Sequence, residues 1–403
     1  MKHPNDKIEN LFAGFGSRQL ATIDLSLARI ARLLEALGNP HDKMPAVVHV
    51  AGTNGKGSLV AYLTSIFEAA GYKVNRLTSP YLVKFNEQIY LSGKEISDEY
   101  LLDLLKKISA CLDKYPATFF EASTALAFLA FAENKADITL LETGLGGRLD
   151  ATNMVKSPAL TAITPISIDH SEFLGNTIAA IAGEKAGIIK HNVPCVVGMQ
   201  PEDAARVMEL TANKLNAPLY RYGKEWYVQR EQGGFTYNSA IRKGVFPSPN
   251  LVGDHQIFNA ATAIACVDCL PGFTITDEHI TQGITHAVWP ARLQHIREGA
   301  LARMIPQNSQ LWLDGGHNPG AGVILADWMK TQKKPVHLIC GILENKDAEQ
   351  LLKPIAPFAK SLTAIPIEGK HKSYTPEKLA AVANKLESKV EVPKMPKKQL
   401  IIL

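Results

Sequence analysis

No apolar run in this 403-residue chain approaches the ~18 residues that a membrane-spanning helix needs. Its start, MKHPNDKIENLF, is polar and lacks the apolar stretch of a secretory leader. Both absences lead to the expectation of a soluble, cytoplasmic protein with no membrane partner. Charge of one sign is also missing: 43 Lys and Arg against 39 Asp and Glu leave a net charge of +4. That balance gives no warrant for a nucleic-acid partner, though it suits a protein that handles small anions. Cysteine is sparse. Cys111, Cys195, Cys266, Cys269 and Cys340 are odd in number and irregular in spacing, which argues against a disulfide framework and for a reducing compartment. Cys266 and Cys269 form a C-x-x-C inside FNAATAIACVDCL, an Ala-rich helical stretch. With no second pair and no His cluster beside them, they read as core thiols rather than a metal site. Internal repeats and low-complexity segments are absent too.

What remains is a globular composition, 46% hydrophobic and 20% charged, long enough for two or three domains. Short β-branched runs alternate with Ala- and Leu-rich helical stretches, the pattern of βαβ units around a parallel sheet. AVVHVAG, KVNRLTSP, DITLLETG, LTAITPIS and PCVVG read as strands. TIDLSLARIARLLEALGNP, SLVAYLTSIFEAAGY, SDEYLLDLLKKISACLDKY, EASTALAFLAFAENK and NTIAAIAGEKAGIIK read as helices, and WYVQREQGGFTYNS as a hairpin. At HAVWPARLQHI a Trp-Pro breaks a helix. A fresh series follows: QLWLDGG, PGAGVILADWMKTQ, PVHLICGIL, DAEQLLKPIAPFAK, SLTAIPI and TPEKLAAVANKLES. The expected architecture is α/β, with a parallel-sheet domain over residues 1–290, which HVAGTNGKGS would make a P-loop ATPase domain, and a smaller Rossmann-like α/β domain over residues 291–403.

The strict phosphate-loop pattern is a further absence. G-x-x-x-x-G-K-[ST] asks for Gly at position 50 and a hydroxyl directly after the Lys. HVAGTNGKGS instead has Val50, and Gly57 follows Lys56, with the hydroxyl postponed to Ser58. The loop still sits after a strand and before a helix. Gly52, Gly55 and Gly57 let backbone N–H groups turn toward an anion, the helix dipole adds to them, and Lys56 places a charge on the β/γ-phosphates. Ser58 or Thr53 supplies a hydroxyl. The alternative is a tight turn that simply needs glycines.

Three other stretches carry chemistry. LLETGLGGRLDATN puts Glu142 at a strand end, from which a carboxylate in a P-loop protein reaches Mg²⁺; its plain reading is a helix cap. Gly144, Gly146 and Gly147 leave the backbone bare around a ligand, and Arg148 can hold an anion. ITPISIDHSEFLG ends another strand with Asp169 and His170, an imidazole that either ligates a metal or is simply buried. Lys185, taken alone, reads as a solvated or salt-bridged helix residue. In the tail, Asp314, His317 and Asn318, then Glu344, Lys346 and Asp347, close two strands and form a ligand face.

Taken in order, HVAGTNGKGS, TSPYLVKFNEQI, FFEASTALAF, LLETGLGGRLDATN, IDHSEFLGNTIAAIAGEKAGIIK, GDHQIFNAATAI, WPARLQ and DGGHNP resemble the Mur ligase superfamily. The resemblance is close to its folylpolyglutamate synthase/dihydrofolate synthase branch, where a Gly regularly follows the loop Lys. It implies an ATP-dependent amide ligase that phosphorylates a carboxylate and lets the amine of L-glutamate attack the acyl phosphate. Acceptors would be dihydropteroate, reduced folates or both. Carried over residue by residue, Gly55, Lys56, Gly57 and Ser58 hold the ATP phosphates, and Asn259, Arg292, Asp314 and His317 are further ATP contacts. Ser79, Glu142 and His170 match Mg²⁺ ligands. Lys185 matches a lysine that is carbamylated in the family, which turns a cation into an anion able to ligate a second Mg²⁺ and replaces the plain reading. Lys56, His170 and Lys185 would then carry the catalysis. Phe120, Glu121 and the Leu149-Asp150-Ala151 segment would lie near the pterin-bearing substrate. The implied partners are small molecules, and the implied state is a monomer.

The family usually continues past a last strand into a Gly-Ser turn and another helix, whereas KKQLIIL ends this sequence, so an abbreviated tail is expected. Two other readings compete. A cell-wall Mur ligase runs the same chemistry on a UDP-sugar peptide, but normally carries an additional N-terminal domain ahead of the loop. A non-catalytic P-loop protein is the second; as a GTPase it would need N-K-x-D, and NKDA puts Asp347 one position early.

Overall fold

The structure, a computed structural model, describes residues 26–368, 372–386 and 390–391. The polar start, the first residues of the earliest predicted helix and the closing KKQLIIL lie outside the described residues. The chain forms two compact units. One takes the chain up to Ile166, Thr177–Asn250 and Ile257–Ala287; the other takes Ser167–Asn176, Leu251–Gln256 and the chain from Val288 onward. The second unit is therefore assembled from three stretches, two of which lie ahead of the Trp289-Pro290 break.

The first unit runs α1 (Ala28–Ala36), β1 (Ala46–Ala51), α2 (Lys56–Ala69), β2 (Val74–Leu77), β3 (Ile89–Leu91), β4 (Lys94–Glu95), α3 (Asp98–Leu112) and α4 (Phe119–Glu133). It continues with β5 (Ile138–Glu142), β6 (Leu160–Ile163), α5 (Ile178–Ala186), β7 (Cys195–Val197), α6 (Glu202–Lys214) and β8 (Leu219–Arg221). A meander of β9 (Trp226–Glu231), β10 (Gly234–Ser239) and β11 (Lys243–Pro247) follows, then α7 (His255–Asp268) and α8 (Asp277–His286).

Eight strands make one sheet in the order β4-β3-β2-β5-β1-β6-β7-β8. The pairings from β2 through β8 are parallel, and β3 and β4 add an antiparallel edge. The central strand β5 is buried at every position and β1 at all but its first, because helices cover both faces; that is why they read as continuous apolar runs. Side chains of β1 alternate between the faces. Val47, with Leu77 and Leu141, joins the core made by α1, α3 and α4. Helix α2, buried over most of its length, packs on the sheet and against α8.

Local signals set the helix starts. Ser97 accepts from Tyr100 N ahead of the acidic first turn of α3, and Thr118 and Glu121 form a reciprocal capping box on α4. Thr177 caps α5 by accepting from Ala180 N.

The second unit holds a short helix (Ser171–Leu174), an antiparallel pair of β12 (Gln294–Ile296) and β13 (Leu311–Leu313), and α9 (Pro319–Lys330). It continues with β14 (Val336–Cys340), α10 (Ala348–Leu352), β15 (Ala359–Ala364), α11 (Pro376–Lys385) and β16 (Val390–Glu391). β14, β15 and β16 form a parallel sheet over a core that includes Leu351, Leu362 and Leu379.

Several sequence expectations need correction. LTAITPIS leaves the sheet at Ile163, because Thr164 and Pro165 turn to support the phosphate loop, so Asp169 and His170 do not end a strand. The helix expected over DAEQLLKPIAPFAK stops at Leu352, just ahead of Pro354 and Pro357. QLWLDGG pairs antiparallel with β12 rather than joining β14. Cys266 is buried in α7 and free, as a core thiol should be. Among the described residues no helix is long and apolar enough to cross a membrane.

Helix α8 approaches α2 closely at Gly283, where a Cβ would lie 2.4 Å from Ile66 Cγ1 and 2.6 Å from Ile66 Cα. Backbone cannot give way as a flexible side chain does. Gly283→Ala should therefore lower stability by about 1–3 kcal/mol, as overpacking does. The midpoint of urea unfolding measures it, and an unchanged midpoint would mean that α8 can lift off α2 freely.

Candidate functional site

The phosphate loop leaves β1 at Gly52 and enters α2 at Lys56. Two features hold it. Thr53 N and Asn54 N both donate to Pro165 O, at 3.0 and 3.1 Å. Gly55 sits at the N-cap of α2 with φ +87°, left-handed backbone that favours glycine, and a Cβ there would come within 2.7 Å of the buried Asn259 Oδ1. The sequence match to Asn259 thus corresponds to a residue seated directly on the loop.

Two ammonium groups converge on one carbonyl of this loop. Lys56 Nζ donates to Gly52 O at 3.1 Å, and Lys185 Nζ, on α5 and 5% exposed, donates to the same oxygen at 2.8 Å. Glu142, the last residue of β5, is paired in register with Val50 and lies 4.0 Å from Lys56 Nζ through Oε1. Its Oε2 accepts from Ser79 N at 3.3 Å. Glu142 is not a helix cap, and Lys185 is not a solvated helix residue. Lys56, Lys185 and Glu142 make a largely buried floor with two ammonium groups and a carboxylate, chemistry suited to a polyphosphate and a hard divalent cation.

The residues assigned to metal divide on this test. Ser79 meets Glu142 through its backbone N–H, and the two residues carry a hydroxyl and a carboxylate, oxygen donors of the type Mg²⁺ takes while keeping most of its waters. His170 belongs to the second unit and faces a different neighbour. Its Nε2 lies 3.3 Å from Lys346 Nζ, so its lone pair already meets a cation. Metal ligation by His170 requires that contact to be given up. Among the described residues no three His, Cys, Asp or Glu side chains cluster so as to hold an ion.

The expected acceptor residues surround the turn after β5. The Phe120 ring lies over Gly144, where a Cβ would be 2.3 Å from Phe120 Cζ. Glu121 is engaged locally, accepting from Thr118 N at 2.7 Å and from Arg29 Nε at 3.2 Å, so it shapes the start of α4. Asp150 is buried and accepts from Leu145 N at 2.8 Å and from Thr152 N at 2.9 Å; Leu149 and Ala151 flank it. Arg148 N donates to Glu184 O at 2.7 Å, which ties this turn to α5, one residue from Lys185.

In the second unit, Asp169 is the hub. Its Oδ1 accepts from Lys346 Nζ at 2.8 Å, its Oδ2 accepts from Asn318 Nδ2 at 3.0 Å, and His317 Nε2 lies 3.7 Å away. Burial alone would raise this carboxyl, but His317, Lys346 and His170 together hold it well below the usual carboxylate range. Arg292 lies between two left-handed residues, Ala291 at φ 53° and Leu293 at φ 42°. That turn is pinned by Leu293 N and Gly315 N, which donate to Asp314 Oδ2 and Ala291 O. Asp314 is thereby engaged in holding the Arg292 turn. Gln200, which no motif flagged, donates to Thr164 O at 2.9 Å and accepts from Ile166 N, so it buttresses the loop support.

The Mur ligase middle domain family matches residues 50–267. The chain is 38% identical to the dihydrofolate synthase/folylpolyglutamate synthase of Bacillus subtilis over 355 residues, 83% of this chain and 80% of the relative. Among solved structures it is similar to Escherichia coli FolC in complex with DHPP and ADP, with TM-score 0.85 and 30% identity, covering 96% of this chain and 88% of that one. A bifunctional folylpolyglutamate synthase/dihydrofolate synthase with Mn, AMPPNP and L-glutamate bound gives TM-score 0.82 at 30% identity, covering 95% and 89%.

Gly55→Ala should weaken binding of a nucleoside triphosphate at least about tenfold, ~1.4 kcal/mol, because the new methyl group meets Asn259 on strained backbone. Calorimetric titration reads the change. Undiminished affinity would mean that the loop binds its ligand in some other conformation.

Proposed function

Since the chain belongs to the folylpolyglutamate synthase/dihydrofolate synthase branch of the Mur ligase family, we propose that it joins L-glutamate to dihydropteroate, to reduced folates or to both, using ATP. The observation that carries this reading is the pair of lysines on the Gly52 carbonyl, with Glu142 4.0 Å from Lys56. A carboxylate is a poor electrophile because its leaving group would be oxide. Transfer of the γ-phosphate to it makes phosphate the leaving group. The amine then attacks the acyl carbon, the C–N bond forms, the amine gives up a proton, and the C–O bond to phosphate breaks. Such chemistry asks the protein for positioning and charge neutralisation.

Each residue of the loop has a part in that. Backbone N–H groups from Gly55 to Ser58 at the start of α2 would hold the phosphates, and Lys56 would neutralise the transferring group. Ser79 and Glu142 would hold Mg²⁺, whose chemistry there would be charge screening of the phosphate oxygens. Phe120 and the Leu149-Asp150-Ala151 segment border the pterin-bearing acceptor. We take Lys185 to be carbamylated in the working enzyme. The modified Nζ keeps one N–H for the Gly52 carbonyl and gains two acceptor oxygens, while its charge changes from +1 to −1. Two cations crowding one carbonyl then become a cation beside an anion. The family's monomeric, cytoplasmic habit goes with this reading.

Purified protein should release phosphate from ATP in a glutamate-dependent way with dihydropteroate or a reduced folate. Lys56→Ala should lower that rate by about two orders of magnitude, the scale of losing one transition-state charge contact. Equal turnover by both proteins overturns the mechanism. Turnover only with a UDP-sugar peptide would mark a cell-wall ligase, and no acceptor-dependent release a nucleotide-binding protein. For the carbamate, ¹³C-bicarbonate should give a carbamate carbon resonance that Lys185→Arg lacks; an identical spectrum from both proteins removes the modification.

A further inference from the structure

His49 lies in β1, wholly buried, three residues ahead of Gly52, yet it takes no part in the phosphate loop. Its Nε2 is 2.8 Å from Thr152 Oγ1, and Thr152 Oγ1 is 2.5 Å from Asp150 Oδ1. His49 Nδ1 is buried with no hydrogen-bond partner among the described residues. A strand at the centre of the sheet thus reaches, through one hydroxyl, the carboxylate that organises the turn after β5.

These contacts set the direction of the protons. A hydroxyl has one hydrogen to give. If Thr152 gave it to His49, the imidazole hydrogen would sit on Nδ1, a buried N–H with no acceptor, and Asp150 would need a proton of its own. If Thr152 gives it to Asp150, the imidazole donates from Nε2 and only a lone pair is left bare at Nδ1. An orphaned acceptor is the lesser defect. Burial, helped by the charge of Lys190, pushes the imidazole down to about 3, so His49 is neutral and has a single N–H to place. Burial also raises the Asp150 carboxyl, against donors from Leu145, Thr152 and Gly144.

We propose that His49 is a positioning residue: by donating to Thr152 it aims the Thr152 hydroxyl at Asp150 and so fixes the turn that borders the acceptor. The inference rests on the reading of that turn as the acceptor's edge. Leu145 N and Thr152 N bond the same carboxylate, so a change at Asp150 is felt by the backbone on both sides of the turn. The phosphate loop, held by Pro165 O and by the lysines, has a separate support. Loss of the relay should therefore act on the acceptor and spare ATP.

His49→Leu and Thr152→Val should each raise KM for the acceptor about tenfold, with kcat and KM for ATP within about twofold. His49→Gln, whose amide can donate from nearly the same place, should restore most of the loss. The double variant His49→Leu/Thr152→Val should be no worse than either single one, since both break the same chain. Equal effects on both substrates, or no effect on acceptor KM in a folded variant, overturns the proposal. Nitrogen-15 NMR of the unmodified protein tests the relay without any variant: a hydrogen on Nε2 is expected, and one on Nδ1 refutes it. If the unmodified protein turns over no folate-type acceptor, the functional reading fails, while the tautomer still decides whether the relay exists.

Discussion

The site depends on the parallel pairing of β1 between β5 and β6. Val50 opposite Glu142 and Ala51 opposite Ile163 bring the ends of three strands to one level. The ladder runs on past the strand ends, with Thr143 N donating to Val50 O and Thr164 N to Ala51 O. Glu142 and Thr164 then flank the point where the chain turns into the loop. A one-residue slip of β5 would turn Glu142 to the opposite face and replace it with Leu141 or Thr143, so the carboxylate and the register stand or fall together. Because β1 and β5 are covered on both faces, and the His49–Thr152 bond and the Glu142–Lys56 contact fit one pairing, that register is strongly specified.

Charge on this frame gathers around one carbonyl. Lys56 and Glu142 at 4.0 Å attract with about 4 kcal/mol at an effective dielectric of ~20, before desolvation. Lys185 brings a second positive charge to the oxygen Lys56 already uses. A floor of this kind is held in place by packing, α5 being tied to the Arg148 turn on one side and the loop on the other. Its repulsion is relieved by whatever brings negative charge. A polyphosphate would do so, and so would the carbamate proposed for Lys185.

Much of the first unit was legible in the residues. Apolar runs marked β1, β5, β6 and β7, whereas the caps Ser97, Thr118 and Thr177, whose chemistry needs only neighbouring residues, went unread, and the helix that starts at Phe119 was placed from Glu121. Strands β3, β4, β8, β11, β12 and β16 escaped because they are two to five residues long and hold their place by pairing, which leaves little local signature. At the site, Lys56 was readable from its loop, whereas Lys185 looked like any helix lysine. Its role depends on a carbonyl 133 positions away. The same holds for His49 and Gln200, whose partners are distant in sequence and whose residue types carry no motif. Resemblance to a family supplied Lys185; geometry alone supplied the other two.

In the polar cluster of the second unit, His170 has other partners than a metal. His170 has the left-handed backbone, φ 51°, that starts the short helix Ser171–Leu174, and its own N–H donates to Asp169 Oδ1. That same oxygen takes Lys346 Nζ, which also meets His170 Nε2. Asp169 therefore fixes the histidine from behind and the lysine in front. While this triad stands, the imidazole lone pair meets an ammonium rather than a metal, and Asp169, held strongly anionic, has every reason to keep Lys346. A competing cation that draws the lone pair away, or an anion that draws the lysine away, would free His170. Metal at His170 and an anionic partner for Lys346 would in this sense be one event, coupled through a shared carboxylate.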